Sequence, residues 1–203
     1  KVEEYRHKIV EKAAENDDAL MEKYINEKEL TLEEIHHGLR KGVVSNTLYL
    51  VLCGSSLKNI GVQFMLDAVC HYLPSPLDIP PVKGFNPKTG VEETRAASDK
   101  EPFTGFIFKI AADPFVGKLA FFRVYSGVLL AGSYILNTTT DDKERIGRIV
   151  RLHANHREEV KEVHAGEIAA AVGLKNTVTG HTICDPDKPI VLEAIEFPDP
   201  VIS

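Results

Sequence analysis

The chain has 203 residues, of which 43% are hydrophobic and 27% charged, and a formal net charge of −6. This composition suits one or two packed domains, and the acidic balance argues against indiscriminate nucleic-acid binding: phosphate attraction needs local positive charge, so any RNA contact must come from a patch. Three cysteines, Cys53, Cys70 and Cys184, lie far apart with no C-x-x-C pair, so neither a disulfide framework nor a zinc knuckle is signalled, and a reducing cytoplasm fits.

Residues 1 to 15 place Val2, Tyr5, Ile9, Val10 and Ala13 at helical spacing, with Glu and Lys between them, which predicts an amphipathic helix. Leu20 and Tyr24 continue the pattern in a short second helix after Asn16-Asp17-Asp18, residues suited to capping. Thr31-Leu-Glu-Glu34 matches the capping box and opens a third helix. Leu32, Ile35 and Leu39 are its expected buried stripe, and Gly42 its expected end.

Residues 47 to 53 form a continuous apolar run, too short for a helix and too apolar for a half-exposed strand. They are expected to form a buried strand, most simply in a parallel sheet. Gly54 to Asn59 then turns the chain into a helix with Val62, Met65, Leu66, Val69 and Leu73 on its apolar face, stopped by Pro74. Strand, turn and helix make half of an α/β unit. With one strand only, this region reads as the tail of such a domain. The start at Lys1 without Met points the same way, to a piece of a longer protein.

Pro74, Pro76, Pro80, Pro81 and Pro87 make a stiff connector over residues 74 to 87 and the expected domain boundary, with residues 1 to 73 before it and 88 to 203 after it. A hairpin around Pro87-Lys-Thr-Gly90 follows. From Phe103 onward, short apolar runs are punctuated at Asp113-Pro114, Gly117, Gly127 and Gly132, the pattern of consecutive β-strands. Phe106, Phe108 and Ile110 are expected on one face of the first, and Lys118 to Tyr125 supplies its partner. Further strands are read around 133–138, 145–153, 166–173, 181–184 and 189–195, and residues 197 to 203 as an exit linker. Closing such a domain into an antiparallel barrel of about six strands would remove its exposed edges. The expected class is α+β. No run of 18 apolar residues and no charged-then-apolar leader occurs, so no membrane partner is expected.

Three places could carry chemistry. The turn Gly54 to Asn59 could present amides to a ligand at a helix start, or be a connection that needs small residues. The phosphate cradle G-x-x-x-x-G-K-[ST] is missing: Gly127 and Gly132 have its spacing, but Ser133 stands where the Lys should be. Residues 143 to 157 hold Lys143, Arg145, Arg148, Arg151 and Arg157 against one carboxylate, Glu144. On a single strand, Arg145, Arg151 and His153 would share the outer face and Ile146, Val150 and Leu152 the inner one. His153-x-x-His156 has metal-ligand spacing, but a strand would turn the two rings to opposite faces, and no third ligand completes a set.

The runs Asp113-Pro-Phe-Val-Gly-Lys118, Arg123-Val-Tyr-Ser-Gly127 and His153-Ala-Asn-His-Arg-Glu-Glu159 closely resemble the second domain of bacterial elongation factor G, the translocation GTPase of the ribosome, and the resemblance extends over the whole chain. It implies the C-terminal end of a GTPase domain followed by a translation-factor β-barrel in a cytoplasmic protein. Ser55, Ser56 and Leu57 then match the last guanine-recognition loop, where Ser56 replaces the more usual Ala. The resemblance further implies GTP or GDP with magnesium in the full-length protein. No cofactor and no GTP hydrolysis are expected for this stretch alone, because the phosphate and switch motifs are missing. Its implied partners are the remaining domains of the parent and small-subunit ribosomal RNA, with Lys118, Arg145, Arg151, His153 and Arg157 as candidate contacts. Two alternatives stand beside it: another translational GTPase, such as a ribosome-protection protein or release factor, and a free-standing RNA-binding barrel.

Overall fold

The computed structural model describes residues 1–113, 117–153 and 156–192, and the chain divides into two compact units, Lys1–Asp78 and a second that starts at Ile79. The class is α+β, as the sequence predicts.

The first unit holds α1 (Val2–Ala14), α2 (Asp18–Ile25), α3 (Leu32–Val44) and α4 (Val62–Tyr72). Side-chain caps set two of the starts. Asp17 accepts from the amides of Ala19 and Leu20, and Thr31 and Glu34 complete the capping box reciprocally. α4 ends at Tyr72 because Leu73, before Pro74, is held in an extended conformation.

The core of this unit is small: Ala13, Ala14, Leu20, Leu30, Ile35 and Leu39. Its key contact is backbone against backbone, since a Cβ on Gly38 would lie 2.3 Å from the carbonyl oxygen of Ala13. Gly42 serves the same purpose. It is buried against Asn16, and α3 runs past it to Val44, so the expected helix end at Gly42 is corrected. Because α1 meets α3 through its C-terminal alanines, Val2, Tyr5 and Ile9 stay exposed, and so does Leu32.

Residues 47 to 53 are not a strand. They run extended from the C-terminus of α3, with the amides of Thr47 and Leu48 both bonded to the carbonyl of Gly42. Leu48 and Leu50 pack on the helical core, while Tyr49 and Val51 are 77% and 91% exposed. The alternation is that of a strand, but among the described residues no neighbouring strand provides a ladder. None of the residues of α4 is fully buried. Its end is tied to α3 by polar contacts: Tyr72 Oη lies 2.5 Å from His36 Nδ1, and Arg40 donates to the carbonyls of His71 and Leu73.

In the second unit, β1 (Val82–Phe85) and β2 (Glu92–Arg95) form the hairpin expected around Gly90, with β13 (Val191–Leu192) on the other side of β1. Thus β1 lies within the stretch expected to be connector. Among the described residues the main sheet has eight antiparallel strands: β3 (Thr104–Asp113), β4 (Gly117–Ser126), β6 (Tyr134–Asn137), β7 (Asp142–Arg145), β8 (Arg148–His153), β9 (His156–Val160), β11 (Ile168–Val172) and β12 (Thr182–Cys184). Their order is β7-β6-β12-β3-β4-β11-β8-β9. A separate two-strand ladder brings together chain segments from the two sides of this sheet: β5 (Leu129–Leu130), just before β6, pairs with β10 (Glu162–Val163), just after β9. That ladder turns the sheet into a barrel.

Ile107, Phe122, Val124, Ile135, Ile146, Ile149 and Ile183 fill the interior beside Ala120, Ala169 and Ala171. The expected sharing of one face by Phe106, Phe108 and Ile110 fails because β3 carries a β-bulge. Ile107 pairs with Phe122 and Lys109 with Phe121, leaving Phe108 as the extra residue. Ile107 and Ile110 therefore face the core, whereas Phe106 packs with Cys184, Ile190 and Leu192 under the small sheet. Asp113 pairs with Gly117 at the hairpin end, and the turn between them falls outside the described residues, as do Ile195 and the exit linker.

Gly38→Ala tests the α1–α3 contact. A methyl group would gain about 1 kcal/mol of helix propensity, but overpacking costs about 1–3 kcal/mol where backbone cannot yield. The expected outcome is a net loss of stability of the first unit in urea unfolding followed by circular dichroism.

Candidate functional site

The basic residues singled out by sequence do not form one row. Arg145 ends β7, which pairs with β6, whereas Arg151 and His153 lie on β8, between β11 and β9. Ile146 and Gly147 separate the two strands. Ile146 is fully buried and exchanges backbone hydrogen bonds with the Gly132–Ser133 segment, and the Gly147 amide bonds to Val172. The inner and outer assignments on β8 also change: Ile149 faces the core, and Val150 and Leu152 pack outside with Leu119, Phe121 and Ala170.

Each of the five predicted contacts has an internal partner. Lys118 donates to the carbonyl oxygens of Lys175 at 3.0 Å and Thr177 at 2.5 Å. Arg151 continues the inward row of Ile149 to the barrel end, where it meets Glu167 at 2.6 Å. Burial opposes ionisation of Glu167, but the His164 amide and the Arg151 guanidinium outweigh it and hold the carboxyl below the ordinary glutamate range. Arg157 pairs with Asp113. His153 lies 3.8 Å from Glu158, and Arg145 donates through Nε to the Gly132 carbonyl at 3.1 Å.

These partners differ in strength. Exposed ion pairs are worth about 0–1 kcal/mol, so a phosphate competes easily with them. The Arg148–Glu159 pair, 3.8 Å apart with side chains 51% and 60% exposed, is of this kind. Lys118, by contrast, is engaged with two backbone carbonyls and belongs to the scaffold.

What the sequence reading missed is an aromatic component. Tyr134 on β6 is directly opposite Arg145 on β7, so both side chains stand on the same outer face. Lys143, two residues from Arg145 on that face, has its ammonium 5.3 Å from the Tyr134 ring centroid. All three are exposed. A flat ring with two cations is an arrangement that stacks a base and neutralises phosphate. On other strands Lys109 lies 5.9 Å from the Phe121 ring and Arg123 5.7 Å from Tyr125. Strand alternation in Tyr134-Ile-Leu-Asn137 would have placed Tyr134 outward, but its pairing with Arg145 depends on register.

Behind the patch, β7 turns Glu144 the other way. Its carboxylate accepts from the amides of Lys175 at 2.6 Å and Asn176 at 3.2 Å, and from Thr177 Oγ1 at 2.6 Å. Burial disfavours its ionisation, yet these donors together hold its pKa below the ordinary glutamate value.

His153 and His156 prove to be direct cross-strand partners, which puts them on one face of the β8–β9 hairpin and not on opposite faces. Among the described residues, no group of three or more His, Cys, Asp and Glu could hold a metal ion. Cys184 is buried, which pushes its thiol up to about 11.

Ser55 and Ile60 close a four-residue turn by exchanging hydrogen bonds of 2.9 and 3.0 Å. The Ser55 amide is thereby engaged. No hydrogen bond among the described residues reaches the amides of Ser56 or Leu57, and Leu57 is 95% exposed. Two unengaged amides on an exposed turn fit a ligand's carbonyl oxygen. They offer nothing for a triphosphate or its metal.

Residues 102–186 match the family model described as elongation factor G domain 2. Among solved structures, the chain is similar to a protein from Thermus thermophilus at 26% sequence identity and a TM-score of 0.74. That match covers 99% of this chain and 28% of the other, so the chain spans little more than a quarter of the length of that protein. Together these findings support a translation elongation factor G-type domain. No helix among the described residues is long and apolar enough to cross a membrane.

Glu144→Gln keeps the shape of the side chain and removes its charge. It is expected to destabilise the barrel by about 1.5–3 kcal/mol at neutral pH, the range for hydrogen bonds to a charged group. A carboxylate whose pKa is depressed by folding contributes stability above its ordinary range and loses it as pH falls through the folded value. Thermal melts should therefore differ at neutral pH and converge in acid.

Proposed function

We propose that this chain, whose barrel is of the elongation factor G domain 2 type, is a coupling piece of a translational GTPase that drives movement of tRNA and messenger RNA on the ribosome. The observation that carries the reading is the family-model match over residues 102–186, with likeness to the solved structure along the chain supporting it. The barrel is a rigid adaptor. Its closed ladder system holds the outer side chains of β6 and β7 at fixed spacing, which suits a docking surface better than a catalytic centre.

Within this reading the barrel meets small-subunit ribosomal RNA through Lys143 and Arg145, with Tyr134 as the stacking platform. Arg148 is a further exposed cation and His153 an exposed imidazole beside Glu158, and Arg151, Arg157 and Lys118 serve mainly to brace the fold. The Ser56 and Leu57 amides are assigned to the guanine carbonyl oxygen in the whole protein. GTP, when bound there, supplies the phosphoryl group whose hydrolysis powers the factor, and its phosphate and magnesium ligands must come from residues beyond this chain.

The test uses the full-length factor carrying Lys143→Glu and Arg145→Glu together. Ribosome affinity is expected to fall, and the slope of log affinity against log salt to become shallower by about one for each phosphate left without its cation. Unchanged affinity and slope with a folded barrel would remove the patch from the interface. Absence of ribosome-stimulated GTP hydrolysis by the unmodified full-length factor would remove the functional reading itself.

A further inference from the structure

The connection between β11 and β12 is fastened largely by side chains, with backbone bonds to Ile107 only at its end beside β12. Glu144 holds its first half through the amides of Lys175 and Asn176 and the Thr177 hydroxyl. The second half is held around His181. Its Nδ1 lies 3.0 Å from Asn137 Nδ2 and 3.4 Å from the Val178 amide, while the Gly180 amide donates to the Ile107 carbonyl at 2.7 Å and the Ile107 amide to the His181 carbonyl at 2.9 Å.

The hydrogen-bond pattern fixes the state of the ring. Asn137 Oδ1 accepts from the amides of Thr139 and Thr140, so its other atom is the amide nitrogen, a donor. The Val178 amide is also a donor. Nδ1 of His181 must accept from both, which requires a neutral imidazole with its proton on Nε2. A proton at Nδ1 would set three donors against one another in a half-buried site.

We propose that the 174–181 connection is an acid-releasable latch at this end of the barrel, opened by protonation of His181. Among the described residues, the charged groups that act on the imidazole are Glu144 from β7 and Lys118 from β4; the nearby groups of β3 and β6 are the Ile107 backbone and Asn137, both uncharged. Burial lowers the affinity of the ring for a proton, Glu144 raises it, and Lys118 lowers it further, with a net shift below the ordinary histidine value. The latch is therefore fully closed above the ordinary histidine range and loosens as pH falls through that range toward the lowered value. Because Asn137 and Thr177 are both fully buried and bonded to each other at 3.1 Å, opening would admit water to the polar end of the barrel.

The experiment is amide hydrogen exchange on the full chain at about pH 7.5 and about pH 5.5, on either side of the ordinary histidine value, corrected for intrinsic exchange. The amides of Lys175, Asn176, Val178 and Gly180 are expected to lose protection severalfold at the lower pH relative to amides of the β3–β4 hairpin. His181→Asn places a carbonyl oxygen where Nδ1 stands and cannot gain a proton, so it should abolish that loss. Relative protection that does not change with pH in the parent, or changes equally in His181→Asn, would overturn the latch. Should that variant fail to fold, nitrogen NMR of the parent decides: a neutral ring protonated on Nε2 supports the latch, and one protonated on Nδ1 refutes it.

Discussion

At Phe108 the first long strand of the barrel takes one residue more than its partner, and the placement of side chains on both sides of the sheet follows from that. Before the bulge Ile107 points inward; after it Ile110 does, three positions on instead of the two a regular strand would need. Phe106, next to Ile107 and before the bulge, faces the other side, where it packs with Cys184, Ile190 and Leu192. The bulge also lies where the β11–β12 connection bonds to Ile107, so the same irregularity that partitions the two apolar clusters provides an anchor for a loop. A regular strand would turn Ile110 away from the interior.

Positive charge in this acidic chain is handled by depth. At the barrel ends the half-buried Arg151 meets a carboxylate and the half-buried Lys118 meets carbonyl oxygens, which satisfies cations that burial would otherwise penalise, while the exposed Arg157 pairs with Asp113. On β3, β4 and β7, Lys109, Arg123 and Lys143 lie over aromatic rings instead. A ring stabilises a nearby cation without neutralising it, so these positions keep their field toward solvent. The result is a barrel whose structural cations are quiet and whose surface cations remain available.

Much of this was legible from residues alone. Capping chemistry at Asp17 and Thr31, the stop before Pro74 and the turn glycines at 127 and 132 are local signals, and the structure uses them as the sequence suggests. What failed was non-local. Gly42 looks like a terminator only if the helix behind it is ignored; beside Asn16 it is a contact surface. The run 47–53 has strand composition, but a strand needs a neighbour that composition does not supply. The candidate site was read as one strand of outward cations because the buried Ile146, which separates Arg145 from Arg151, has the same period as the residues on either side. Register, not alternation, decides that Tyr134 meets Arg145.

The position of Lys118 has one more consequence, for the chemistry of lysine itself. Acylating and alkylating reagents attack the neutral amine, which requires the ammonium to lose a proton and present a free lone pair to solvent. Lys118 gives two of its three N–H groups to backbone carbonyls, which hold the nitrogen against the β11–β12 connection and restrict the direction from which a reagent can reach it. The lysines of the barrel thus fall into two chemical populations: exposed amines such as Lys109 and Lys143, whose reactivity follows whatever covers the outer face, and one whose reactivity follows the integrity of the fold.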